Sequence, residues 1–197
     1  MSEAPTVLLL DVMDTLVWDP VWIMADFFGA PMEELWAAKH PTAWVDFECG
    51  RIEQQEFLDS FFTDGRSYDQ QAFLALFKEG YRWMDGVEEI LIELKGRGVA
   101  MHALSNYPPW WQVIEEKLGL SRYLDWSFVS CMTGQRKPKP AAYLGAARSL
   151  GLAPQDCLFV DDRTRNCEAA RTTGMDAIRF RWASQLADEL RDRRLLL

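Results

Sequence analysis

The apolar runs in this chain are all far shorter than the roughly 20 residues a helix needs to cross a bilayer. A surplus of cations is missing as well. Lys and Arg total 21 against 30 Asp and Glu, a formal net charge of −9. Binding to nucleic acid or an anionic lipid surface rests on clustered Lys and Arg, so neither is an expected partner. A phosphate group can still be held, by a few local cations or a metal. Histidine is scarce too. His40 and His102 are far apart and have no ligand-like neighbours, which argues against zinc. The four cysteines, Cys49, Cys131, Cys157 and Cys167, show neither a CxxC pair nor a disulfide-framework spacing. They read as reduced thiols of a cytosol-like compartment. There is no repeat, no low-complexity tract, and no leader pattern ahead of the first strand-like run at Thr6.

Apolar and aromatic material is plentiful. Hydrophobic residues make up 49% of 197 positions, enough for one fairly large core or a core with an insertion. Nine tryptophans serve either as core packing or as walls for a flat ligand. Short unbroken apolar runs occur at Val7–Leu10, Val99–Leu104, Trp126–Val129, Leu158–Val160 and Ala177–Phe180. Continuity, rather than alternation, suits strands covered on both faces of a parallel sheet. Helical stripes lie between them, at Val87–Leu94, Val113–Leu118 and Tyr143–Leu150, each followed by glycine. Alternating strand and helix signals predict a doubly wound, Rossmann-like α/β fold. From 19 to 84 every apolar pattern is helical. The expected division is therefore a core from 1–18 and 85–197 with an all-helical cap from 19–84, placed over the carboxyl edge where ligands of such sheets bind. The tail SQLADELRDRRLLL reads as an amphipathic helix capped by Ser184.

Four strand ends carry polar groups to that edge. The run TVLLLD delivers Asp11, VAMHALSN delivers Ser105 and Asn106, and LFVDD delivers Asp161 and Asp162. Between the last two, GQRKPKP places Lys137 ahead of a proline-limited helix start. One aspartate after a strand is commonly a turn or cap residue. Four such groups in this order form a more specific pattern.

The order resembles the haloacid dehalogenase (HAD) superfamily over essentially the whole chain, and the helical insertion is similar to that superfamily's small alpha-helical cap. The strings DVMDTLVWDP, KHPTAWVDFECG, SNYPPWW and GQRKPKP look like plant chloroplast-type FMN phosphatases. The resemblance implies Mg²⁺-dependent hydrolysis of a small phosphate monoester, with FMN as a candidate substrate. It implies Asp11 as nucleophile and Thr15 as the threonine four residues on. Metal ligands would be Asp11, the Met13 carbonyl and Asp162, with Asp161 assisting. Ser105 and the Asn106 backbone would meet the phosphoryl group, and Lys137 would neutralise charge. Asn166 would orient Lys137 or a metal-bound water, and Trp110 would lie beside the substrate. Such a protein would work in the cytoplasm, or in the plastid stroma as a mature plant-type form. Oligomeric state is left open.

One position departs from the pattern. Phosphatases of this superfamily usually carry a second aspartate two residues after the nucleophile, and here that residue is Met13. A thioether transfers no proton, and general acid–base help is worth about 10²–10⁴ in rate. Asp14 is next along, but adjacent side chains of an extended segment face opposite sides, so it reads as a loop-stabilising carboxylate. Three functions stand at this point: a phosphatase with another proton donor, a 2-haloacid dehalogenase whose halide needs no proton, and a catalytically impaired flavin- or phosphate-binding protein.

Overall fold

The computed structural model describes residues 7–197. Five parallel strands form one sheet: β1 (Val7–Leu10), β2 (Ala100–Ser105), β3 (Asp125–Val129), β4 (Cys157–Asp161) and β5 (Asp176–Arg179), in the spatial order β3-β2-β1-β4-β5. The most apolar strand, β1, takes the centre, and all four of its side chains are buried. Its register sets Leu8 beside Met101 and Leu158, and Leu10 beside Ala103 and Val160. Side chains alternate across the pleat. Leu8, Leu10, Leu158, Val160 and Ile178 join one apolar layer, while Val7, Leu9, Phe159 and Ala177 join the other. This is the expected doubly wound α/β architecture. Strand boundaries shift by about one residue from the sequence reading.

Six helices accompany the sheet: α6 (Val87–Gly96), α7 (Trp111–Leu118), α8 (Ser130–Thr133), α9 (Pro140–Leu150), α10 (Thr164–Thr172) and α11 (Ala183–Asp192). The last begins a residue before the expected Ser184 cap; Trp182 holds the cap position and gives no side-chain hydrogen bond. Burial of Leu186, Ala187 and Leu190 therefore holds α11 without help from that serine.

Between β1 and α6 the regular elements are all helices, after a 3₁₀ turn at Pro20–Ile23: α1 (Met24–Phe28), α2 (Met32–Ala38), α3 (Ala43–Glu48), α4 (Gln54–Asp59) and α5 (Gln70–Gly80). Most are too short to persist alone. An aromatic cluster binds them: Phe47 stacks on Phe57 at 4.9 Å, and Phe61, Phe73 and Phe77 continue the contact. This cluster is continuous with the apolar layer under Leu8 and Leu10. The two crossings into the helical segment pair with each other. Val17 bridges Trp83, Trp18 N donates to Arg82 O at 2.9 Å, and Met84 N donates to Leu16 O at 2.8 Å. Gly50, after α3, seats the segment on the core. It has φ +66°, and a Cβ there would lie 2.5 Å from the Cys131 carbonyl oxygen, so only glycine fits.

Candidate active site

β1 ends against β4, with Asp11 N donating to Val160 O at 2.9 Å. Asp11 is then held by its own loop: Val12 N donates to Oδ1 at 2.7 Å. Leu16 N and Val17 N both donate to Val12 O at 2.8 Å, closing a tight turn. Inside that turn Asp14 adopts φ 53°, the left-handed region that an L-residue enters only at a cost. Its carboxylate folds over the turn and accepts from Asp19 N at 3.1 Å and from Trp22 Nε1 at 3.0 Å. Both oxygens are thus engaged in loop bonds.

Lys137 is 1% exposed, an unusual fate for a lysine. Its Nζ lies 2.9 Å from Asp11 Oδ1 and 2.7 Å from Asp161 Oδ2. A backbone clamp fixes it from behind: Asn106 Nδ2 donates to Lys137 O, and Lys137 N donates to Asn106 Oδ1, each at 2.8 Å. Asp161 also accepts from Arg163 N at 2.8 Å and from Asn166 Nδ2 at 3.0 Å on both oxygens. Carboxylate oxygens of Asp11, Asp161 and Asp162 come within 4.8 Å of one another.

Three carboxylates and one ammonium cannot all be comfortable in a buried site. Burial lifts the Asp11 carboxyl well above its ordinary range; Lys137 opposes this, while Asp161 and Asp162 add repulsion. Burial also works against an ionised Asp161, yet Lys137 and the surrounding donors outweigh it and hold that carboxyl low. Lys137 loses hydration by burial and is still pushed up, because two carboxylates face it. Asp162, desolvated and beside Asp161, is raised to about 6. Ser105 Oγ, Thr15 Oγ1 and Asp162 Oδ1 are buried polar atoms with no partner among the described residues.

A polar cavity of about 130 Å³ opens beside this group; among its walls are Asp11, Met13, Asp19, Glu48, Asn106 and Lys137. A second cavity, about 350 Å³ and mostly apolar, adjoins it and is walled by Trp22, Trp36, Trp44, Phe61, Phe73 and Phe77. Asp19, Trp44 and Arg163 line both. Glu48 reaches in from α3 and meets Arg136 from the core, with 2.6 Å from Nε to Oε1.

The strand-end residues therefore converge: Asp11, Ser105, Asn106, Lys137, Asp161, Asp162 and Asn166 sit at one edge. Several details differ from the sequence reading. Asn166 donates to Asp161, one step away from Lys137. The Asn106 side chain, rather than its backbone alone, has a structural task. Trp110 does not line either of these cavities. It holds the cap position before α7, is 5% exposed, packs 5.0 Å from Phe77, and donates to Gln54 Oε1 at 2.6 Å. The short spacing from Ser105 suggested proximity, but the turn into α7 points this ring at the helical segment. Sequence reasoning missed Asp19, Glu48 and Arg163 as cavity residues. Asp19-Pro20 carries a visible signal, a cap residue before a helix-starting proline, yet that signal speaks only of local structure.

Residues 22–174 match the model for haloacid dehalogenase-like hydrolases. The chain is 44% identical over 187 residues to the flavin mononucleotide hydrolase 1 of Arabidopsis thaliana, covering 94% of this chain and 76% of that protein. It is 28% identical over 189 residues to phosphoglycolate phosphatase 1 of Pseudomonas aeruginosa, covering 88% and 68%. Among solved structures, a HAD family enzyme from Bacteroides thetaiotaomicron in its magnesium complex aligns with TM-score 0.77 at 17% identity, covering 96% of this chain and all of that one. The L-2-haloacid dehalogenase of Xanthobacter autotrophicus, with chloropropionic acid covalently bound, aligns at 0.65 and 18% identity over 95% and 83%. With the strand order, the buried Asp11–Lys137–Asp161 group and these matches together, the chain belongs to the haloacid dehalogenase-like hydrolases and is an enzyme of that family.

Proposed function

We propose that this enzyme is a Mg²⁺-dependent phosphatase that hydrolyses a small phosphate monoester, FMN being the substrate its cavities suit best, through an aspartyl-phosphate on Asp11. The observation that carries the reading is the buried lysine shared by two carboxylates, with a third carboxylate beside them. Asp11 Oδ1 is engaged by Val12 N and Lys137, and no donor reaches Oδ2 among the described residues. That oxygen is the nucleophile.

The donor set fits a hard divalent cation. Asp162 Oδ1 is buried without a donor and its carboxyl is pushed up to about 6, so a cation relieves both strains. Asp11, Asp162 and the Met13 carbonyl would hold Mg²⁺, with Asp161 assisting. When bound, the ion offsets the repulsion between Asp11 and an anionic phosphoryl group. Lys137 balances charge on Asp11 and on the transferring group. Ser105 Oγ, with no other partner, donates to a phosphoryl oxygen. Asn106 and Asn166 keep Lys137 and Asp161 in place.

We read 19–84 as a cap unit over a core of 1–18 and 85–197, with the cap supplying the leaving-group site. The second cavity supports FMN: aromatic faces suit a planar ring, and its shared walls with the first cavity join ring site to phosphate site. Phosphate release from FMN with Mg²⁺ tests the proposal. Turnover is expected in the wild type and lost with EDTA or in Asp11→Asn. Metal-independent halide release from a 2-haloacid, without phosphate release from any ester, would overturn it.

A further inference from the structure

A phosphatase acting on an alkyl ester such as FMN must protonate a poor leaving group, and Met13 cannot. We propose that Asp19 supplies the missing proton, giving it to the ester oxygen as the phosphoryl group moves to Asp11 and recovering it from water in the second step. This rests on the phosphatase reading above.

Position is the first argument. The bond that breaks joins phosphate to leaving group, so its oxygen lies where the polar and aromatic cavities meet. Asp19, Trp44 and Arg163 are the residues walling both cavities, and Asp19 is the one carboxyl among them. Availability is the second. Asp19 Oδ1 accepts from Val21 N at 3.0 Å, while Oδ2 has no hydrogen-bond partner among the described residues. The other acids nearby are engaged: Asp14 by Asp19 N and Trp22, Glu48 by Arg136. The Tyr107 hydroxyl is paired with Tyr81 at 2.8 Å. Burial, with repulsion from Asp14 and Asp162 only partly offset by Val21 N and Arg163, raises the Asp19 carboxyl to about 7. Of the other charged groups around it, Lys39 shares the wall of the aromatic cavity, and Asp11, Glu48, Arg136 and Lys137 share that of the polar one. A carboxyl protonated at neutral pH suits a general acid.

Atoms balance over the two steps. An Asp11 oxygen bonds phosphorus while the phosphorus–ester oxygen bond breaks, its electron pair staying on the ester oxygen, which takes the Asp19 proton. Water then bonds phosphorus, passes a proton to Asp19, and the Asp11–phosphorus bond breaks to restore the carboxylate.

The test is kcat/KM, which reads the first step alone, for FMN and for aryl phosphates from 4-nitrophenyl to phenyl, with Mg²⁺. Asp19→Asn keeps an acceptor for Val21 N, since asparagine caps as well as aspartate. It should lose about 10²–10³-fold on FMN and under about 10-fold on 4-nitrophenyl phosphate, whose leaving group needs little proton help. In the wild type kcat/KM for FMN should fall above pH of about 7, where Asp19 loses its proton, and the variant should lack that limb. Equal losses on all esters, or none on FMN, would overturn the assignment and leave the phosphatase reading standing. A wild type inert on every ester removes both. Asp19→Ser is the second variant. If neither folds, a steep dependence of wild-type kcat/KM on leaving-group acidity at pH 6 would itself refute the assignment.

Discussion

The two cavities that share Asp19 are built in opposite ways. The polar one is walled largely by groups at strand ends and the loops just beyond them, fixed by backbone pairing and by the Asn106–Lys137 clamp. The aromatic one is walled by side chains from short helices that hold position only because their rings pack together. On the proposed function, chemistry falls to the part fixed by backbone pairing, and recognition of the leaving group to the part whose shape depends on side-chain packing. Substitutions at residues walling the polar cavity alone should cost rate on every ester, while those walling the aromatic one should sort one ester from another.

The largest expected effect is Lys137→Met. It leaves Asp11 and Asp161 facing each other without a cation, so phosphate release should fall about 10²–10³-fold on FMN and 4-nitrophenyl phosphate alike. Stripping one partner from a buried ionic group also costs about 3–5 kcal/mol of stability near pH 7. Asp161 is held low in the folded state, so its contribution is present above its unfolded value of about 4 and fades as pH falls below that. Denaturant midpoints of wild type and variant should therefore converge in acid. Equal stability at pH 7 would show the charges to be better solvated than their burial indicates.

Trp36→Ala should be milder and selective. Trp36 is 41% exposed and walls only the aromatic cavity of the two. An aromatic contact is worth about 0.5–1.5 kcal/mol, so KM for FMN should rise about 2- to 10-fold, with under about twofold change for 4-nitrophenyl phosphate. Loss of the same size on both esters would break the contrast between the cavities.

Asp14→Gly should do least. Glycine removes the backbone penalty at φ 53° and also the bonds to Asp19 N and Trp22, effects of about 1 kcal/mol in opposite directions. The melting temperature should move by a few degrees and kcat/KM for FMN by less than about fivefold. A collapse of FMN turnover with 4-nitrophenyl phosphate spared would transfer the proton-donor role from Asp19 to Asp14.

The same contrast explains what could be read in the sequence. Asp11, Ser105 and Asp161 each follow an apolar run, and parallel strands must bring such ends to one edge, so their meeting was legible from order alone. Lys137 was legible by its place before the helix-starting Pro140 and by resemblance. Asp14 reads as a loop carboxylate in the sequence, but its left-handed backbone and its bonds to Asp19 and Trp22 need coordinates. Trp110 was misplaced because the turn into α7 sends its ring toward Phe77, and Asp19 was overlooked because its place on both cavities comes from a loop held by Asp14 and Val21 N and not from a strand end. The packing of Phe47, Phe57, Phe73 and Phe77 settles where the Trp110 ring points.

The laced crossings at Val17–Trp83 and Leu16–Met84 have a mechanical corollary. Together with the Gly50–Cys131 approach and the Glu48–Arg136 pair, they tie the helical segment to the sheet at separated points. Asp19 lies two residues past Val17, next to the paired crossing, whereas Trp36 sits on α2, farther along the chain from it. The carboxyl is thereby tethered by backbone pairing nearby, and the indole by the side chains around it.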